Sequence, residues 1–593
     1  MPTQIHEPHT DVTRVMHASR ELEIQGQLEA ALNLYRSWLK VHPNEAASIM
    51  CWYEYGRLLQ ITGAFQKAES AFRAALEQNP KFTEGALALG KSLEAQGKLK
   101  EAIEVWDKAM PPQALQIQLF NNMARLHDQL HSVEEAEAAL IHSLRLDPTQ
   151  DSVITTLLQQ RQKLCRWPVI TPDIGVSKSV QKANVGPLMS LALFDNPKEN
   201  LTSVKNFLKS KNYFSPSKTL TRKGALYPGH GKLRVGFLSA DFRLHATSIF
   251  FSPLIEYLDR NLFEIYLLDM TVAADPFPFA RQRLMEVAEH HIPLQAMDDE
   301  AAARTIQSLE IDVLVDLAGL TAGARPGIVA MRPAPIQMTY IGFLASCGIP
   351  NMDYIVTTAD MFVDACANGF TEKPLKLAGT YVAFTNDGDV STGSTRSSCG
   401  LPEDAVVYCA LLNTYKITPE MFACWMAILK GVPNSVLWLV EENPTTRKNL
   451  EQHALDHGVS IDRLRFSQRV HPAEYRTRLA MADLFLDSSP YGNGATTRDV
   501  LLANLPILTK PGKTMMSRLT AHMVGAMGMA ELIVDSLDDY VAKAVQLGLN
   551  RNKLASMKQE IAAAKHTSPL FKTEEFAKHF GEAILQATRE MSS

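Results

Sequence analysis

Residues 483–501 read "DLFLDSSPYGNGATTRDVL". The apolar run "DLFLD" stops at "SSPYGNG", and "ATTRDVLLA" then has the pattern of a helix. Glycines at such a turn let backbone N–H groups approach an anion, and the helix start adds the positive end of its dipole. Gly494, Ala495, Thr496 and Thr497 are therefore candidates for holding a phosphate, with the threonine hydroxyls free to cap the helix or to donate. Asp499, expected in the first turn, would repel a lone phosphate but could accept from two ribose hydroxyls. A diphosphate-linked nucleoside suits this mixture better than a free phosphate.

Comparable clusters follow other apolar runs. "RVGFLS" leads into "ADFRLHATS", with Asp241, His245 and Thr247. "VYCALL" leads into "NTYKI", where Asn413 is a polar contact and Lys416 a mobile cation. "RLRFSQ" leads into "RVHPAEYRTR", which supplies Arg478. "LPILT" leads into "KPGKTMMSR", with Lys510, Gly512 and Lys513. A neutral histidine suits a proton acceptor near pH 7. Taken singly, each residue has an ordinary reading: a helix cap, a solvated lysine, a hydrogen-bonded structural histidine. Their recurrence at successive strand ends is what points to a site. No GxxxxGK[ST] loop occurs, and no GxGxxG follows a strand, so a Walker nucleotide site and a nicotinamide cofactor are both disfavoured.

These residues need a scaffold of parallel strands. From Leu233, buried apolar runs alternate with helical segments: "KLRVGFLSADF", "FEIYLLDMT", "HHIPLQAM", "IDVLVDLAGLT", "RPAPIQMTYIGF" and "MDYIVTTADMF". A polar stretch at 385–405 has loop composition, and the alternation then restarts with "VVYCALL", "SVLWLV", "RLRFSQ", "DLFLD" and "LPILT". Two α/β halves joined once predict a ligand cleft beyond the carboxyl ends of the strands.

The first 150 residues follow a different rule. Ala68, Phe72, Ala75 and Pro80 are matched 34 residues on by Ala102, Trp106 and Ala109, and again by Ala136, Leu140, Ser143 and Pro148. An earlier copy holds Ala31, Tyr35, Trp38 and Pro43, and Gly56, Gly90 and Ala124 lie twelve residues before three of the anchors. A 34-residue period with small residues at fixed places is the tetratricopeptide signature. Small residues let paired helices approach, an aromatic fills the gap, and Pro ends the second helix. The division expected is a repeat domain at 1–160, a helical linker at 161–230, a first α/β half at 231–385, and a second α/β half with C-terminal helices at 386–593. The repeats are expected to bind a protein or peptide acceptor.

The 593 residues carry a formal net charge of -5, with 46% hydrophobic and 21% charged side chains. This gives no general affinity for nucleic acid or anionic membrane. Seven scattered cysteines without a CxxC pair suit a reducing compartment. The polar start "MPTQIHEPHTDVTRV" does not read as a signal peptide, and no apolar run reaches the ~20 residues of a membrane helix. A cytoplasmic location is expected.

The motifs "RVGFLSADFRLHATS", "RPAPIQMTYIGF", "YCALLNTYKITPEM", "ADLFLDSSPYGNGATTRDVL" and "LTKPGKTMMSRLTAHMVGAMGMAELI" occur in order through roughly 230–550. Together they resemble the O-GlcNAc transferase and SPINDLY-like protein glycosyltransferases, a superfamily that includes the N-glucosyltransferases of bacterial adhesins. The resemblance implies a GT-B fold behind a tetratricopeptide solenoid, a UDP-sugar donor, inversion at the anomeric carbon, and no metal. It implies that Lys416 stabilises the leaving diphosphate, that the turn at Ala495–Thr496 cradles it, and that Asp499 binds the ribose. Asn413 falls where relatives carry a donor-contacting Gln, His245 matches a histidine proposed as base or as a sugar and acceptor contact, and Gly342 opens the sugar-side loop "GFLASCG". That loop replaces the usual "GYPGTSG", Gly494–Thr496 stand where the animal-type turn reads "HTT", and Tyr475 stands where many relatives have His. The function implied is transfer of one sugar, GlcNAc or a hexose, most simply to Ser or Thr. Transfer to Asn of adhesin- or flagellin-like proteins, or a non-catalytic scaffold with a decayed transferase domain, are the alternatives.

Overall fold

A computed structural model describes residues 12–109, 113–213, 219–272, 278–386 and 393–592. Most of the polar N-terminus, the tip of the basic loop after Ser210 and part of the polar stretch at 385–405 lie outside the described residues. The chain forms two compact units. One holds the chain up to Leu157 together with Pro172–Ser177, and the other holds Leu158–Thr171 and Lys178–Ser593.

The first unit is built of helix pairs: Val12–Ile24 with Leu28–Val41, Ser48–Ile61 with Phe65–Gln78, Thr83–Ala95 with Leu99–Lys108, and Gln113–Gln129 with Val133–Leu146. Within each pair the chain turns through a left-handed residue, at Gly26, Gly63, Gly97 and His131. Their spacings of 37, 34 and 34 residues repeat those read from the sequence. Ala31, Ala68, Ala102 and Ala136 have no exposed surface. The small residue twelve places earlier has a direct steric cause. A Cβ on Gly90 would sit 1.9 Å from Trp106 Nε1, and one on Gly56 would sit 2.7 Å from the Phe72 ring.

The second unit contains two wholly parallel sheets. The first has the order β3-β2-β1-β4-β5-β6-β7. Its strands are β1 (Leu233–Ser239), β2 (Phe263–Asp269), β3 (His290–Pro293), β4 (Val313–Asp316), β5 (Ile336–Thr339), β6 (Tyr354–Thr357) and β7 (Lys373–Lys376). The second has the order β10-β9-β8-β11-β12. Its strands are β8 (Val406–Ala410), β9 (Ser435–Val440), β10 (Leu464–Ser467), β11 (Leu484–Leu486) and β12 (Ile507–Leu508). Strands β4, β5, β6, β8 and β9 are buried along their whole length, as sheets covered by helices on both faces require. β7 lacks the apolar pattern because it is an edge: it pairs only with β6, and it carries Pro374 between two lysines.

In each sheet the winding reverses once, between β1 and β4 and between β8 and β11. Such switch points open a crevice at the carboxyl ends of the strands. The turns that begin at Asp241, Asn413 and Asp487 lie at these places. Several bonds tie the two halves together. The buried His522 ring lies 2.7 Å from the Asp360 carboxylate through Nδ1 and accepts from the Tyr381 N–H through Nε2 at 2.9 Å. The C-terminal helix Thr573–Ser592 returns to the first half, where Glu590 accepts from Tyr354 and Lys373 and Gly581 packs on Phe263. The division at 385/386 therefore separates the sheets but not the helices that cover them.

The Gly90 contact yields a prediction. Gly90→Val forces the Trp106 indole out of its seat and lowers stability by about 1–3 kcal/mol, the ordinary cost of overpacking. Denaturant unfolding followed by tryptophan fluorescence measures it.

Candidate active site

Lys416 ends a short 3₁₀ turn, Thr414–Lys416, that follows β8. The expectation of a mobile cation needs correction: the residue is 7% exposed, because the turn packs its side chain beneath the loop after β11. Its Nζ donates to Asn493 Oδ1 at 2.7 Å and lies 4.8 Å from the centre of the Tyr491 ring. Burial lowers its pKa to about 8, and the Asp487 carboxylate resists that fall. Asn493 is itself buried and passes the polarity on, donating from Nδ2 to Asp487 Oδ1 at 2.6 Å. Asp487 also accepts from the Thr509 hydroxyl at 2.6 Å, and burial pushes its carboxyl up to about 6. The three groups form a relay from an ammonium to a carboxylate with little else to balance the charge.

Helix Ala495–Leu502 begins beside this relay. Its N-cap is Gly494, which offers no side chain to the first N–H groups. The threonines do not cap it. Thr497 is buried, and its hydroxyl donates backward to the Asn493 carbonyl at 2.8 Å. A helix start left uncapped by its own residues is suited to an anion. Thr496 is half-buried in the first turn. Asp499 falls in the second turn, because the helix already starts four residues earlier at Ala495, and it accepts from Arg498 at 2.8 Å.

Across the crevice, His245 caps helix Ala246–Tyr257. Its Nδ1 accepts from the Thr247 N–H at 3.3 Å, which leaves the ring proton on Nε2. Burial lowers its pKa, Asp241 at 3.4 Å opposes this, and Arg243 reinforces it. A cleft of about 310 Å³ between the halves is lined by Arg243, His245 and Ser248 on one side and Arg476, Arg498 and Asp499 on the other. With Arg283, four guanidinium groups share this cleft with one carboxylate. Arg283 is paired with Glu256, Arg243 with Asp241 at 2.9 Å and Arg498 with Asp499 at 2.8 Å, so an anion entering the cleft competes with these carboxylates.

The remaining expected residues are less direct. Asn413 precedes the Lys416 turn, and its Oδ1 accepts from Arg469, which also bonds Glu442. Arg478 is turned away from the cleft, bonded to Glu474 at 3.0 Å and to Ser467 at 2.6 Å. Arg476, two residues earlier and about 200° round the helix, lines the cleft instead. Gly342 touches neither group: a Cβ there would lie 2.1 Å from the Leu317 carbonyl, so the strand ends meet only through glycine. Sequence reasoning missed Asn493, Arg476 and Arg243. Only Asn493 had a signal, as the one polar side chain between the two glycines of "GNG". Among the described residues no group of three or more His, Cys, Asp or Glu is placed to hold a metal.

The chain belongs to glycosyl transferase family 41, whose model matches residues 208–389 and 388–580. Residues 17–163 match the middle TPR-like domain of cilia and flagella-associated protein 70. The chain is 36% identical over 363 residues to a probable UDP-N-acetylglucosamine–peptide N-acetylglucosaminyltransferase, SEC, of Arabidopsis thaliana, covering 59% of this chain and 36% of that one. It is 25% identical over 476 residues to the corresponding transferase of Caenorhabditis elegans, covering 61% and 41%. A probable transferase of the same name, SPINDLY, from Solanum lycopersicum is 25% identical over 346 residues, covering 57% and 37%. The chain thus spans well under half the length of these curated relatives. An O-GlcNAc transferase structure from Thermobaculum terrenum shares the fold, with TM-score 0.62 and 19% identity over 100% of this chain and 99% of that one. Among the described residues no helix is long and apolar enough to cross a membrane.

The relay predicts its own fragility. Asn493→Ala deprives a buried ammonium and a buried carboxylate of their shared partner, and costs about 1.5–3 kcal/mol of stability at pH 7. The Lys416→Met, Asn493→Leu double variant removes the ammonium but still leaves the buried Asp487 carboxylate short of a donor, so it recovers only part of that loss. Equilibrium unfolding in urea compares the three.

Proposed function

We propose that the chain is a protein glycosyltransferase that moves a single sugar, GlcNAc or a hexose, from a UDP donor to Ser or Thr, with inversion and without a metal. The observation that carries this reading is the buried Lys416 ammonium beside an uncapped helix start, at the switch point of the second sheet. Membership of family 41 and the relatives' names support the donor class.

The acceptor hydroxyl oxygen bonds to the anomeric carbon as the bond from that carbon to the β-phosphate oxygen breaks. The electron pair leaves with UDP, which gains one negative charge. Lys416 and the N–H groups of Ala495 and Thr496 meet that charge in a buried setting, where each is worth more than in water. Arg476 and Arg243 attract the diphosphate from the two sides of the cleft. Asp499 accepts from the ribose, and Asn413 approaches the donor only after exchanging Arg469. Arg478 holds the helix that presents Arg476, and Gly342 lets the sugar-side loop pack closely. The hydroxyl proton passes to His245 Nε2, in the tautomer whose Nδ1–H faces Asp241, and from there to solvent. The repeats present a protein acceptor, and the seven free cysteines suit a reducing cytoplasm.

Two measurements test the reading. Lys416→Ala loses about 2.7–4 kcal/mol of transition-state stabilisation in kcat/KM for the donor, as when an oxyanion donor is removed. An unchanged rate of UDP release from UDP-GlcNAc refutes the role. UDP binding tests the charge. The amine is protonated below about 8 and neutral above it, so UDP affinity falls as pH rises through about 8 in the wild type. In Lys416→Met the affinity is lower and loses this dependence, as read by calorimetry.

A further inference from the structure

We infer that Gln162, from the segment that precedes both sheets, is a positioning residue for Lys416. Its Nε2 donates to the Tyr415 carbonyl at 2.6 Å and to the Ile417 carbonyl at 3.2 Å. These carbonyls belong to the residues on either side of Lys416. An amide nitrogen has two hydrogens, and here each meets one wall of the lysine's turn.

Three further observations separate this contact from ordinary packing. First, Gln162 has no exposed surface, yet its Oε1 has no partner among the described residues. A residue kept only to fill space at such a place would be apolar, since a buried acceptor without a bond is costly. Second, the turn itself is short and holds only two internal bonds, Lys416 N–H to Asn413 and Ile417 N–H to Thr414. It needs outside support to keep a long side chain aimed. Third, the segment around Gln162 is fixed to the second half at several points. The Thr414 hydroxyl lies 2.7 Å from both the Lys163 carbonyl and the Glu442 carboxylate. Asn449 donates to the Leu164 carbonyl at 2.9 Å, and Trp167 stacks on His453 at 4.5 Å. Gln162 is thus anchored to the same half it supports. The residues expected to be a plain linker complete the floor of the candidate donor site.

The inference rests on Lys416 having the role proposed above, and the test separates the two. The full-length chain is assayed for UDP release from UDP-GlcNAc, with UDP titration counting the competent sites. Gln162→Met keeps length and apolar stem but loses both donors. Gln162→Glu keeps the shape and puts an acceptor against the carbonyls. Each lowers kcat per competent site by on the order of tenfold to a hundredfold, the scale of a small misplacement, with little change in donor KM. In a Lys416→Ala background neither change lowers kcat further, because Gln162 acts through the lysine. Wild-type kcat per competent site in both variants overturns the inference, as does an equal loss in the two backgrounds, which marks general loosening. Full activity of Lys416→Ala overturns the Lys416 assignment itself, and the inference with it.

Discussion

A lysine ammonium taken out of water is the constraint around which the second half is arranged. Burial alone disfavours the charge, and one neutral amide and one distant carboxylate give it only partial relief. The strand ends do the rest. β8 delivers the lysine, and β11 delivers Asp487 and Asn493. Because these strands are neighbours in the sheet, the three groups meet without a long loop. The helix after β11 then starts with glycine, so nothing of the protein's own occupies the place an anion takes. In the function proposed above, a diphosphate bound there supplies that charge, and its leaving oxygen gains negative charge beside the ammonium.

Much of the architecture was legible because it follows from periodicity. The 34-residue spacing of small and aromatic residues has a steric cause that the Gly90–Trp106 approach makes plain. The apolar runs ending in polar turns fixed where a site must be. What periodicity does not carry is direction and burial. Lys416 read equally well as a solvated cation, because a sequence does not say that the loop after β11 folds over it. Arg476 and Arg478 were indistinguishable by type, and only helix phase separates the one in the cleft from the one bonded to Glu474. Thr497 looked like a cap, but the helix already starts at Ala495, which puts Thr497 inside its first turn with the hydroxyl bonded back to the Asn493 carbonyl. Gln162 lies some 250 residues from the turn it supports, a distance no local pattern bridges.

The charge of the cleft adds a second, looser layer. Its guanidinium groups come from both halves, so a diphosphate bound as proposed meets cations from each. The bonds of His522 to Asp360 and Tyr381, and the return of the C-terminal helix to the first half, hold the two halves together. Membership of family 41 supports the class of chemistry proposed above.

The central claim is that Lys416 and the helix start after Gly494 hold the leaving diphosphate. A crystal structure of the full chain with UDP tests it most directly. The account predicts the β-phosphate at the N–H groups of Ala495 and Thr496, with Lys416 Nζ within ~3 Å of a phosphate oxygen, the reach of a charge-assisted bond. A diphosphate bound elsewhere in the cleft, with Lys416 still bonded only to Asn493, contradicts it.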